Sequence, residues 1–326
     1  MFPPVDTKDA PAVAKFVKAR FAAMYPGASL SWLERLFVDI ETLFCGRHPD
    51  YAAVDLRYHD LEHTLQATVC LALLLEGRHA AGVEPRIDPR QFELAISAGL
   101  LHDSGYIKLR SDNVGTGAKY TFCHVLRSCA FTASYLPTLG ANDYEVEAVL
   151  GAINCTGPTK QVSRLYFRDP VERVIGCALA TADYLGQMAA SDYPDEMEIL
   201  FEEFQESDDF IHLPQSRRAF QSAAELIERT PIFWKKFVQP KLESDFQAVY
   251  RFLARPYPPR SQSLPGGRPE EHCKDPAAQR DGPARARQIG ARPKPARVLE
   301  ARPQAPQFVG RKYGHNCRLV RPPWSK

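Results

Sequence analysis

The feature that most constrains this chain is an apolar run that ends in an adjacent histidine and aspartate. Residues 91–101 are apolar on nearly every side, which is typical of a buried helix. Residues 88–91, Asp-Pro-Arg-Gln, predict where that helix begins, because they combine a capping box with a proline at the first helical position. The run then reaches His102 and Asp103, and Gly105 is predicted to stop it.

Burying an imidazole and a carboxylate at the end of an apolar helix costs free energy unless a partner compensates them. A divalent cation is a suitable partner, since histidine nitrogen and aspartate oxygen both bind Zn, Fe or Mn. A His-Asp pair also arises by chance, so the pair alone leaves a purely structural role open.

Two further apolar helices are predicted to deliver polar residues. His59 and His63 stand at the start of an apolar stretch that runs through Leu75. Because they are four residues apart, they are predicted to share one helical face. Downstream, the apolar stretch 171–182 leads directly into Asp183.

In this arrangement the chain resembles the HD superfamily of metal-dependent phosphohydrolases. Four residues match the family's H…HD…D signature in order and in approximate spacing: His63, His102, Asp103 and Asp183. The Tyr-His-x-x-x-His pattern at 58–63 resembles the branch that contains the class I cyclic-nucleotide phosphodiesterases. The resemblance covers about residues 30–210, and it implies an all-α, HD-domain helical bundle.

The resemblance implies that these four residues ligate one divalent metal ion and that Asp103, also assigned to catalysis, bridges to a second. His124 stands where some family members have a ligand for that second metal. The His-His pair that others carry one helix later is replaced by Asn154-Cys155. One or two metal ions therefore both remain open, and the sequence does not distinguish among Zn, Mn, Fe and Mg.

The resemblance also assigns a catalytic role to His59, which corresponds to a histidine that donates a proton to the departing alkoxide. An imidazole can supply a proton at neutral pH. Lys108, Arg127 and Gln187 are predicted to bind substrate, Lys108 because a cation near the metal suits a phosphate. A solvated cation, or a core position for Gln187, is the ordinary alternative.

These assignments predict a phosphohydrolase, and specifically a phosphodiesterase that acts on a nucleotide or cyclic nucleotide through a metal-activated water. No residue in the sequence can be assigned to recognise a nucleobase, so other small phosphoesters remain open as substrates. A di-iron HD-fold oxygenase and a nucleotide-binding regulatory HD module without turnover are the alternatives.

Composition changes sharply after residue 254. Residues 255–326 hold 16 Lys and Arg against 5 Asp and Glu and contain 13 of the 27 prolines, whereas residues 1–254 hold 25 basic and 34 acidic residues. The first composition predicts a disordered basic tail, since it offers little apolar surface to bury. Such a tail could contact anionic polymers. Residues 1–29 are predicted as a leader with one helix, and 30–254 as the phosphohydrolase domain.

The eight cysteines form no C-x-x-C pair, and no apolar run reaches about 18 residues. A cytoplasmic protein with reduced thiols and no membrane span is therefore expected. Two further helix starts are predicted, a capping box at Ser31 and Glu34 and a helix beginning at Thr230-Pro231.

Overall fold

Helices and short helical turns form the secondary structure of the protein in this computed structural model, which describes residues 4–190 and 192–254. Within those residues there is no β-strand, only an isolated bridge between Tyr51 and Leu109. The predicted all-α fold is confirmed. The α-helices are α1 (Ala10–Met24), α2 (Ser31–Phe44), α3 (Leu61–Ala81), α4 (Pro89–Leu101), α5 (His124–Tyr135), α6 (Asp143–Asn154), α7 (Pro170–Met188), α8 (Tyr193–Phe210) and α9 (Ala223–Phe233).

The centre of the bundle is the packing of α3 against α7, which run in opposite directions. His63 near the start of α3 faces Asp183 near the end of α7. Gly186 lets the two backbones approach closely, since a Cβ there would lie 3.0 Å from backbone atoms of Ala67. Helix α4 packs against both, and its residues from Phe92 to Leu101 are all buried. The three helices that carry the predicted ligands therefore share one core.

Several helix starts follow the predicted capping chemistry. The predicted capping box of α4 is present: the Asp88 side chain accepts from the Gln91 backbone N–H, and the Gln91 side-chain oxygen accepts from the Asp88 backbone N–H. Asn142 and Glu145 cap α6 in the same way. The predicted box at Ser31 is wrong: Ser31 is already the first helical residue, and its hydroxyl pairs with that of Ser29 instead.

The C-terminal part of the described chain departs from the prediction. Pro231 lies inside α9 rather than at a helix start, because Ser222 caps that helix eleven residues before its C-terminal residue, Phe233. The chain continues through the π-helical turns Trp234–Val238 and Lys241–Asp245 and ends in the 3-10 turn Val249–Leu253. The basic segment 255–326 predicted as a disordered tail lies outside the described residues.

No helix in the described part of the chain combines the length and apolar character needed to cross a bilayer.

Candidate metal centre

Three helix ends bring four of the predicted ligands together. His63 lies in the first turn of α3, the His102-Asp103 pair directly follows α4, and Asp183 lies near the end of α7. The ligand atoms of His63, His102 and Asp103 lie within 4.8 Å of one another, and this buried group could hold a metal ion. Asp183 Oδ1 lies 3.6 Å from His63 Nε2 and 3.5 Å from His102 Nε2, which adds a second carboxylate.

The geometry of His102 points its Nε2 into this cluster. Nδ1 donates to the Gly99 carbonyl at 2.7 Å, which leaves Nε2 as the nitrogen with a lone pair. The residue is 1 % exposed, and Nε2 is a buried polar atom without a hydrogen-bond partner. An unpaired buried imidazole nitrogen is costly. A bound cation would satisfy it.

The cluster stabilises positive charge strongly. Burial alone would lower the pKa of His63, but the carboxylates of Asp103 and Asp183 outweigh it and raise that pKa to about 10. Burial likewise opposes ionisation of Asp183, yet the imidazoles of His102 and His63 lower its pKa to about 2. Two ionised carboxylates beside two buried imidazoles therefore hold positive charge, whether as protons on nitrogen or as a divalent cation that replaces them.

Asp103 presents its two oxygens to different neighbours. Oδ2 lies 3.2 Å from His63 Nε2 and 3.4 Å from His102 Nε2, whereas Oδ1 lies 3.7 Å from His124 Nε2. His124 donates from Nδ1 to the Thr121 carbonyl at 2.7 Å, so its Nε2 is also the nitrogen with a lone pair. The structure thus places His124 beside the cluster, on the opposite oxygen of the shared carboxylate.

A close backbone contact holds His124 in that place. Helix α5 begins at His124, after the 3-10 turn Gly117–Tyr120. A Cβ at Gly105 would lie 2.0 Å from the His124 carbonyl oxygen, so only glycine lets the turn after Asp103 pack against the start of α5. Gly105 therefore brings α5 to Asp103, although α4 itself already ends at Leu101.

The prediction that His59 and His63 share a helical face is wrong. Asp60 is the N-cap of α3 and accepts a hydrogen bond from the His63 backbone N–H at 3.0 Å, so the helix begins only after His59. The ring of His59 instead stacks on Tyr106, with centroids 4.5 Å apart, and meets the His63 ring edge-on at 5.4 Å.

A carboxylate from α8 holds His59 in this position. His59 Nδ1 lies 2.6 Å from Glu203 Oε2, and the other oxygen of Glu203 accepts the backbone N–H groups of Arg57 and Tyr58 at 3.2 and 2.8 Å. Burial would raise the pKa of Glu203, but His59 and the backbone donors outweigh it and lower that pKa. His59 Nε2 makes no hydrogen bond within the described chain.

Local partners occupy the three residues predicted to bind substrate. Lys108 lies 2.8 Å from an oxygen of Asp55 and donates to a backbone carbonyl. Arg127 donates to the carbonyls of Gly105 and Ile107. Gln187 accepts from the Tyr58 hydroxyl and donates to the Asp183 carbonyl. These contacts show how each side chain is held, and the substrate roles stay predictions.

The Asn154-Cys155 pair is held by hydrogen bonds near the end of α6 and by one bond to α5, in which the Asn154 amide donates to the Cys129 thiol at 3.6 Å. The Asn154 amide donates to the Leu150 carbonyl at 2.9 Å, and the Cys155 thiol donates to the Gly151 carbonyl at 3.3 Å. Sequence reasoning missed Glu203 and the Tyr106 ring, which also stacks on His124 at 4.6 Å. Tyr106 stands three residues after Asp103, which is a usable signal. Glu203 is one of many acidic residues of α8, and nothing in its local sequence distinguishes it.

Comparison of the chain with protein-family models, with curated proteins and with solved structures found no match.

Proposed function

We propose that this protein is a metal-dependent phosphohydrolase, and specifically a phosphodiesterase that acts on a nucleotide or cyclic nucleotide. One observation carries the proposal: His102 Nε2 is buried and unpaired at the meeting point of His63, Asp103 and Asp183. Two imidazoles and two carboxylates form a mixed nitrogen and oxygen ligand set, which suits a catalytic transition metal. The metal supplies a Lewis acid that activates water and neutralises phosphate charge.

Asp103 favours a site for two ions. Its Oδ2 lies beside His63 and His102, and its Oδ1 lies beside His124. The carboxylate therefore stands between two groups of potential metal ligands. A carboxylate shared in this way can bridge two cations. The second group contains one histidine, since Asn154 and Cys155 are held by hydrogen bonds within α6 and, for Asn154, to Cys129 of α5.

His59 acts on the leaving group in this proposal. A departing alkoxide needs a proton, and an imidazole close to the ligands but held by a carboxylate is suited to donate one. Glu203 fixes the ring through Nδ1, so that Nε2 is the atom from which the proton leaves. The adjacent Tyr106 ring limits rotation of the imidazole, because the two rings are stacked.

A metal-resolved activity screen tests the proposal. The purified chain is loaded separately with Zn, Mn, Fe and Mg and assayed against bis-nitrophenyl phosphate, cyclic nucleotides and nucleoside monophosphates. We expect hydrolysis of a phosphodiester with at least one metal. Oxygen consumption with an iron-dependent absorption spectrum, and no hydrolysis, would favour the oxygenase. Nucleotide binding without turnover with any metal would favour a regulatory module.

The Glu203–His59 contact gives a second prediction. Glu203→Gln keeps the size of the side chain and an acceptor for the two backbone N–H groups, but it removes the negative charge that holds the imidazole. We expect turnover to fall by about 10- to 100-fold with unchanged metal content.

Glu202→Gln is the matched control, because the neighbouring carboxylate lies at the surface and pairs with Arg57. That variant should keep full activity. Equal activity of Glu203→Gln and the wild type would argue against a positioning role for Glu203.

A further inference from the structure

A cavity of about 470 Å³ lies at the end of the bundle away from the candidate metal centre. It is lined by the C-terminal turn of α3, the loop that follows it, the first turn of α7 and the turn Val249–Leu253. The wall includes several apolar side chains: Val83, Pro85, Phe167, Val174, Val249 and Phe252. Cavities of about 300–1,000 Å³ with apolar walls and a few polar groups are typical of small-molecule sites.

Arg78 is a buried cation without a counter-ion in this wall. It is 5 % exposed, and one terminal nitrogen donates to the carbonyls of Val83 and Pro85 at 3.1 and 2.6 Å. Within residues 4–190 and 192–254 no carboxylate oxygen lies within 4.0 Å of its guanidinium, and its Nε and second terminal nitrogen make no hydrogen bond. Burial lowers its pKa, which the nearby Glu84 offsets only in part.

Arg173 is a second guanidinium on the same wall. It lies in the first turn of α7, and its carbon atom Cζ stands 5.1 Å from the centre of the Phe167 ring. It forms no ion pair or hydrogen bond with any other described side chain. Two arginine side chains therefore line one cavity with donors that the described chain leaves unused.

The other charged groups of the wall already have partners. The Glu84 carboxylate pairs with Arg86, whose Nε lies 3.2 Å from Glu84 Oε1. Asp169 accepts the first backbone N–H groups of α7 as its N-cap, and Arg168 pairs with Glu147. The uncommitted charge that faces the cavity is therefore positive.

We propose that this cavity binds a small organic anion, in which a phosphate or carboxylate group is attached to an apolar or aromatic body. The planar guanidinium presents paired donors that match the oxygens of either anion. The apolar wall would cover the remainder of the ligand. An anion beside Arg78 would also supply a counter-charge to a guanidinium that has no carboxylate oxygen within 4.0 Å in the described chain.

This site is separate from the candidate metal centre. Arg78 follows His63 by fifteen residues of α3, or about 22 Å along the helix, and Arg173 precedes Asp183 by about 15 Å along α7. The inference therefore stands or falls independently of the proposed phosphohydrolase activity.

Calorimetric titration of the full chain with phenylphosphonate tests the inference, because this probe combines an aromatic ring with a phosphonate that has no ester bond to hydrolyse. The main variant is Arg173→Gln, since no hydrogen bond of the fold depends on that side chain. This variant should bind phenylphosphonate about tenfold more weakly than the wild type does. Arg164→Gln removes the same charge from an exposed residue outside the cavity and should bind like the wild type.

Three results would overturn the inference. The wild type could fail to bind phenylphosphonate at all. Arg173→Gln could bind as tightly as the wild type, which would place the probe elsewhere, including at the metal centre. Inorganic phosphate could bind as tightly as phenylphosphonate, which would show that the apolar wall adds nothing. The inference would be supported if phenylphosphonate binds more tightly than both inorganic phosphate and neutral benzyl alcohol.

Discussion

Replacing His59 with alanine should slow hydrolysis of an unactivated phosphodiester by about 10²- to 10⁴-fold while metal content and folding stay unchanged. The variant removes the proposed proton donor but none of the four clustered ligand side chains. Glu203 would still accept the backbone N–H groups of Arg57 and Tyr58, so its buried carboxylate would not be left unpaired. Steady-state kinetics together with elemental analysis measure both quantities.

The loss should depend on the leaving group. A nitrophenolate departs with little need for protonation, so a nitrophenyl phosphodiester should be slowed much less than an alkyl ester. Equal slowing of both substrates would exclude the acid role and favour substrate positioning.

His63→Ala is the matched comparison for His59→Ala. The two histidines are four residues apart in the sequence, but the structure directs them to different partners: His63 Nε2 faces Asp103 and Asp183, and His59 Nδ1 faces Glu203. His63→Ala should therefore lose metal together with activity. If His59→Ala loses metal to the same extent, His59 is a ligand or a structural residue.

Removing His102 or the charge of Asp103 should reduce the bound metal to background. His102→Ala deletes the unpaired buried Nε2, and Asp103→Asn keeps the side-chain shape but removes the negative charge shared by three imidazoles. Both variants should also lower the thermal midpoint, because the groups that remain are buried without compensation; breaking a buried charge pair costs about 3–5 kcal/mol.

His79→Ala provides the control for this experiment. That imidazole lies in the last turn of α3 and contacts the Tyr25 ring, at the opposite end of the helix from His63. Its removal should leave the metal content unchanged. Full metal occupancy in both His102→Ala and Asp103→Asn would refute the site.

Local sequence was enough to predict the parts of the fold that depend on local interactions. The capping box of α4 joins Asp88 to Gln91, three residues away, and it forms as predicted. The apolar runs that became α3, α4 and α7 are readable for the same reason: a helix buried on all sides needs apolar residues on all sides. Because each of those runs begins or ends at a His or Asp residue, the order of the clustered residues could also be read from the chain.

Helix boundaries were predicted less well, since a cap is a competition between neighbouring polar residues. Asp60 is the N-cap of α3, so His59 lies outside the helix and does not share the helical face of His63. Ser31 does not cap α2, and its hydroxyl hydrogen-bonds with that of Ser29 instead. A shift of one or two residues in a helix boundary changes the direction in which the side chains at that boundary point.

Only the tertiary structure decided the partners of the site. Glu203 reaches His59 across 144 positions of sequence, and Lys108 is held by Asp55, which lies in the loop before α3. Both contacts join residues that are far apart in the sequence and whose neighbouring residues form no distinctive motif, so no local pattern predicts them. The sequence determined which side chains are buried at the ends of apolar helices; packing of α3, α4, α7 and α8 determined which of them meet, because distances between helices depend on the whole core.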